Sequence, residues 1–215
     1  MIEFVISSSD LTDGLLKSEI AALMESCNDA DGCSFAVTPR FLECAAVSVS
    51  SKTDVSLCSL SLFASQTYTE VAILEVAMAL ENGADEIEIP MSLGLVDDKN
   101  FAEAQSRLEV ITEEIGDSAQ LSVFIDSSKF SDFDLLGKAV STAINAGADI
   151  IALNVDGNSE AKFIKETLDE VAKYKKSVII KVTINSNIDS YKADVKNFMA
   201  PYSSYKSMLR VRVRL

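Results

Sequence analysis

Histidine is absent from all 215 residues. That excludes Ser-His-Asp triads, imidazole metal sites and imidazole acid–base catalysis. Any chemistry falls to lysine, carboxylates, cysteine, serine or tyrosine. Tryptophan is absent too, and only three prolines occur. No Gly/Ser-rich or charged tract marks a linker, so residues 1–215 read as a single domain. No run of 18 apolar residues occurs, so no membrane span is expected. The opening Met1-Ile2-Glu3-Phe4-Val5 lacks the basic and then apolar stretches of a secretory signal. Basic residues are outnumbered, 19 against 33 acidic, for a net charge of −14. An acidic surface argues against nucleic acid and anionic membranes as partners. The four cysteines, Cys27, Cys33, Cys44 and Cys58, show no C-x-x-C spacing. Free thiols in a reducing cytoplasm are expected rather than a disulfide framework. Cys33, Cys44 and Cys58 read as core thiols, because no basic residue adjoins them to activate a thiolate.

What is present is a repeated β-α pattern. Asn82-Gly83-Ala84-Asp85-Glu86-Ile87 and Asn145-Ala146-Gly147-Ala148-Asp149-Ile150-Ile151 each follow a helical pattern and open an apolar run. Glycine suits the left-handed position after a helix, and an unbroken apolar run suits a parallel strand covered on both faces. Eight strand-like runs occur, at 2–6, 33–37, 55–62, 86–89, 121–125, 150–155, 178–184 and 208–215. Helical stripes separate them: Val71, Leu74, Ala77 and Met78, then Phe101, Leu108, Ile111 and Ile115, then Leu136, Val140, Ala143 and Ile144. Ile164, Leu168 and Val171 follow, then Ile188, Val195, Phe198 and Met199. Thr69 and Ser159 read as helix N-caps, Gly116 and Gly147 as stops. Eight strands alternating with helices predict an α/β fold, a (β/α)8 TIM barrel lacking its last helix. A doubly wound open sheet is the alternative, but no G-x-G-x-x-G or G-K-[ST] loop follows a strand. The last run, Leu209-Arg210-Val211-Arg212-Val213-Arg214-Leu215, alternates strictly. The expectation is arginines outward and the apolar face inward, since unpaired guanidinium groups inside a barrel would be desolvated.

Several phrases, in order, carry a resemblance. Cys33-Ser34-Phe35-Ala36-Val37-Thr38-Pro39-Arg40-Phe41, the stretch from Val55 to Gln66 followed by Thr69-Glu70, and the two Gly-Ala-Asp phrases resemble deoxyribose-phosphate aldolase, a class I aldolase barrel. The likeness covers roughly three-quarters of the chain. It implies a Schiff-base lysine at the end of the sixth strand, a second lysine on the seventh and an aspartate on the fourth. No metal or other cofactor is implied. The matching positions here are Ala152, Lys181 and Glu88. A methyl group forms no imine, and Glu88 moves the carboxylate by one methylene. Where the family has glycine-rich phosphate loops, a Thr-Ser-Thr-Gly phrase and a Gly-Gly pair, the chain departs and reads Leu153-Asn154-Val155-Asp156-Gly157 and Thr183-Ile184-Asn185-Ser186. After the eighth strand the sequence ends. Phosphate cradling by backbone N–H groups needs close approach, and Asp156 adds repulsion.

Lys181 reads either as a functional group at a strand end or as an ion-pair partner of Glu88 or Asp126. As a Schiff-base residue it would need a lowered pKa, which Glu88 opposes. Glu88 is a remnant acid–base group or a counter-charge. Asp126 and Asn154 end strands five and six, where a ligand would bind. Lys129 and the cluster Lys173-Tyr174-Lys175-Lys176 read as solvated or dipole-matched cations. Three functions stay open: a diverged member with lost or greatly reduced activity that binds a small molecule or partner, an active lyase using Lys181, or acid–base chemistry by Glu88 and Asp126. The resemblance implies a small phosphorylated sugar or aldehyde as ligand and leaves room for a homodimer.

Overall fold

The computed structural model describes residues 1–7, 10–27, 32–51, 54–61, 64–130, 132–154, 160–174 and 176–215. The strands are β1 (Ile2–Val5), β2 (Cys33–Val37), β3 (Val55–Leu60), β4 (Glu86–Pro90), β5 (Gln120–Asp126), β6 (Ile150–Asn154), β7 (Ile179–Asn185) and β8 (Leu209–Arg214). All pair in parallel, in chain order, and β8 closes on β1. The (β/α)8 barrel is therefore realised. The helices are α1 (Asp13–Ser26), α2 (Leu42–Val49), α3 (Thr69–Glu81), the short α4 (Leu93–Asp97), α5 (Phe101–Ile115), α6 (Phe133–Asn145), α7 (Glu160–Val171) and α8 (Tyr191–Met199). Among the described residues no helix follows β8. The predicted cap at Ser159, the loop residues Asp156 and Gly157, and Lys175 lie outside the described residues.

The two Gly-Ala-Asp phrases do the same mechanical work. Gly83 and Gly147 adopt φ of 87° and 108°. The next amide, of Ala84 or Ala148, turns back to the carbonyl of Ala79 or Ala143. The aspartate then clasps the preceding strand twice. Asp85 N–H donates to the Leu57 carbonyl, and its carboxylate accepts from Leu57 N–H at 2.9 Å. Asp149 repeats this on Leu121, at 3.0 Å. The repeat is thus a stitch between helix exit and neighbouring strand, at the end of the barrel opposite the usual sites.

The hydrophobic core is the annulus between sheet and helices. Phe4, Phe35, Ile87, Leu121, Ile151, Ile180, Val211 and Val213 form its inner wall, and Leu16, Ile20, Val76, Leu108, Val140 and Leu168 pack from outside. This corrects the expected orientation of β8. Its apolar residues face the helices and its arginine face turns inward. Arg212 is 3% exposed and paired, while Arg210 is half-buried and Arg214 exposed. Only one guanidinium is fully desolvated, and it is paired with Glu3 and Glu88.

Helix α3 brings a second correction. Its buried face is Ala72, Val76 and Ala79. Val71, Leu74 and Met78 are exposed by 50%, 61% and 55%. This helix is apolar on two sides, and the small residues let it approach the sheet closely. Its N-cap is Tyr68, with Thr69 the first helical residue. Ile188 precedes α8 and is exposed.

Candidate functional site

Inward positions of the strands are unusually polar. Glu3 on β1, Glu86 and Glu88 on β4, Lys181 on β7 and Arg212 on β8 are all buried. These strands are not all neighbours, so their contacts pass through the barrel lumen. Lys181 Nζ donates to Glu3 Oε2 at 2.8 Å and also to Glu86 Oε1, and lies 3.9 Å from Glu88. Arg212 grips Glu88 with both terminal nitrogens, NH1 at 2.6 Å, and donates to Glu3 through Nε. Ser34 Oγ donates to Glu3 at 3.3 Å, and Ser122 Oγ to Glu88 at 3.2 Å.

Three carboxylates thus face two cations. Burial alone would push the Glu3 carboxyl up, but Arg212 and Lys181 overcome it and hold it at about 2. Burial dominates at Glu86, whose carboxyl is raised despite Lys181. Burial thus makes ionisation costly at Glu86, where the fold favours the protonated form, in contrast to Glu3. Cys58 Sγ donates to Glu86 Oε1 at 3.5 Å, and burial and the Glu86 charge keep its thiol protonated. Burial would also depress Lys181, but the Glu3 and Glu86 charges outweigh it and its pKa rises. Glu3, Cys58 and Glu86 hold ligand-capable atoms within 4.8 Å of one another, a spacing that suits a cation. The Lys181 ammonium supplies one.

Ala152 lies in register beside Lys181 on the adjacent strand, and is 1% exposed. Lys181 is also 1% exposed. Of the residues singled out in the sequence, Lys181 and Glu88 thus meet in the ionic layer, with Ala152 beside them. Asp126 and Asn154 form a separate pair, in register at the C-terminal ends of β5 and β6. Asp126 is not Lys181's partner. Its Oδ1 accepts from Ser128 N at 3.2 Å and Oγ at 2.6 Å, capping the turn Ser127–Lys129. Ser127 Oγ donates to the Asn154 carbonyl at 2.6 Å.

Sequence reasoning missed Glu3, Glu86 and Arg212. A signal existed. Carboxylates at alternate positions of a buried strand, Glu86 and Glu88, demand inward cations. The thiols also differ from expectation. Cys33 and Cys58 are buried, but Cys44 is half-buried and donates to the Asp13 carbonyl at 3.6 Å. Cys27 is lowered to about 7, first by its hydrogen bond with Cys33, with help from the Tyr191 hydroxyl and the Lys192 charge against burial.

The closed eight-stranded parallel barrel with its outer helices is a TIM barrel, a fold class whose sites sit at the C-terminal rim. No family model matches the chain. The deoxyribose-phosphate aldolase of Streptococcus equi subsp. zooepidemicus is 26% identical over 160 residues, 71% of each chain. That of Aciduliprofundum boonei is 32% identical over 101 residues, 46% of this chain and 45% of that one. In structure, the tetrameric deoxyribose phosphate aldolase from Aeropyrum pernix superposes with a TM-score of 0.67 at 18% identity, covering 84% of this chain and 74% of that one. A triosephosphate isomerase from Bartonella henselae reaches 0.65 at 11%, covering 99% and 91%, so fold likeness alone selects no chemistry. The named sequence relatives support a deoxyribose-phosphate aldolase-like family.

Proposed function

We propose that this chain is a single-domain deoxyribose-phosphate aldolase-like barrel whose Schiff-base activity is lost or greatly reduced, and that it binds a small molecule or partner. The observation that carries this is the state of the amine on the axis. A nucleophilic lysine must be neutral and reachable. Lys181 is raised in pKa and clamped between Glu3 and Glu86. Ala152, at the position matched to the family's imine-forming lysine, offers only a methyl group. Acid–base chemistry by Glu88 and Asp126 is disfavoured, because Arg212 holds Glu88 and Asp126 sits apart on the rim. The exposed stripe of Val71, Leu74 and Met78 favours a homodimer. The unbridged thiols favour the cytoplasm. No described helix is long and apolar enough to cross a membrane.

The test is borohydride trapping with deoxyribose 5-phosphate, read by mass spectrometry, alongside the retro-aldol rate. No adduct and a background rate are expected. An adduct on Lys181, with cleavage abolished by Lys181→Ala, would overturn the reading.

A further inference from the structure

A cavity of about 480 Å³ sits between the ends of β4 and β5 and helix α4. That is within the range of small-molecule sites. Its apolar surfaces come from Met91, Leu93, Leu95 and Phe124, and its charged groups are Arg107 and Asp126. Both charged groups are only partly used. Arg107 gives its Nε to Glu103 Oε1 at 3.1 Å, and its terminal nitrogens bond nothing among the described residues. Asp126 spends Oδ1 on the Ser128 turn and leaves Oδ2 without a partner among the described residues.

We propose that this rim cavity binds a small zwitterion, an amino acid with an aliphatic body. Its carboxylate pairs with the Arg107 fork, its ammonium with Asp126 Oδ2, and its aliphatic part lies on Met91, Leu93 and Leu95. A planar guanidinium suits a carboxylate bidentately. A dianionic phosphate fits worse, since Asp126 faces the same space and Arg107 is already half-neutralised by Glu103. The proposal goes beyond the binding reading above and does not depend on Lys181 being inert.

Calorimetric titration of the full chain tests it with five probes: L-leucine, 5-aminovalerate, isovalerate, isoamylamine and inorganic phosphate. The first two separate an α- from an ω-amino acid. One of them is expected to bind at least about tenfold more tightly than either single-charge analogue or phosphate, a difference of about 1.4 kcal/mol. Asp126→Asn keeps an Oδ1 acceptor for the turn, and Arg107→Gln removes the fork. Each should weaken zwitterion binding by about tenfold or more while far-UV circular dichroism stays unchanged. Arg107→Lys, which can keep the Glu103 pair, should weaken it too. No zwitterion binding at millimolar concentration, tighter binding of phosphate, or binding indifferent to all three substitutions would overturn the proposal. A Lys181 adduct in the trapping experiment would sink the inactive reading and leave this one standing.

Discussion

Glu3→Gln and Glu86→Gln, made separately, should have very different effects although both carboxylates touch the same ammonium. Glu3 is held at about 2 against an ordinary 4.5. That depression corresponds to about 3 kcal/mol in favour of the fold. A lowered carboxyl stabilises above its unfolded value, and the contribution fades as pH falls from 4.5 toward about 2. Glu86 has the opposite sign. Its raised value means that its contribution is present below 4.5 and is lost as pH rises through the folded value. The fold disfavours the Glu86 charge, and a glutamine carbonyl there still accepts from Lys181. Glu3→Gln should therefore lower the melting temperature by roughly 10 °C, using about 2–4 °C per kcal/mol for a chain of this size. Glu86→Gln should shift it by a small fraction of that. Thermal melts by far-UV circular dichroism, supported by urea midpoints, suffice. On acidification from pH 4.5 toward about 2 the Glu3→Gln deficit should shrink. Equal losses for the two variants, or a larger loss for Glu86→Gln, would refute the opposite signs assigned to the two carboxyls.

Two further contrasts use the same internal-control logic. A Cβ at Gly147 would lie 2.6 Å from Thr112 Cγ2 at a φ of +108°, whereas at Gly83 the nearest atom is 3.9 Å away at +87°. Gly147→Ala should cost about 2–3 kcal/mol in urea unfolding and Gly83→Ala about 1, and equal costs would remove the steric argument. Cys27 should be alkylated by iodoacetamide with a rate midpoint near pH 7, as its lowered value requires, while Cys58 stays unreactive in the folded chain. Lys192→Met should move that midpoint upward, and an unchanged midpoint would exclude Lys192 as a cause.

The barrel was legible because its signals are local. Apolar runs mark strands, helical stripes separate them, and Gly-Ala-Asp marks two helix exits. The face of β8 was misread because alternation tells which residues share a side, not which side is inward. That depends on partners on β1 and β4, far away in the chain. Glu3 and Glu86 sit in short apolar runs where each carboxylate alone looks incidental. The stripe on α3 misled for a related reason. A helix apolar on two sides has two candidate inner faces, and the smaller side chains took the sheet. Lys181 and Glu88 were found as a pair, but their main partners are Glu3, Glu86 and Arg212. The lowered Cys27 thiol was not legible, since Cys33, Tyr191 and Lys192 come together on it only in the fold.

The ionic layer also bears on how this sequence can change. Five side chains from four strands share their hydrogen bonds, so removing Glu3, Lys181 or Arg212 leaves a buried partner without its counter-charge. A lysine placed at Ala152 would arrive beside an amine already committed to two carboxylates. Freeing that amine would mean removing Glu3 and Glu86 as well, and Glu3 also steadies Arg212. Building an imine-forming axis here would therefore pass through several destabilised sequences. Changes at the rim, around Arg107 and Asp126, meet no such barrier. Selection on this barrel would find the periphery open and the centre closed, a ratchet set by buried charge.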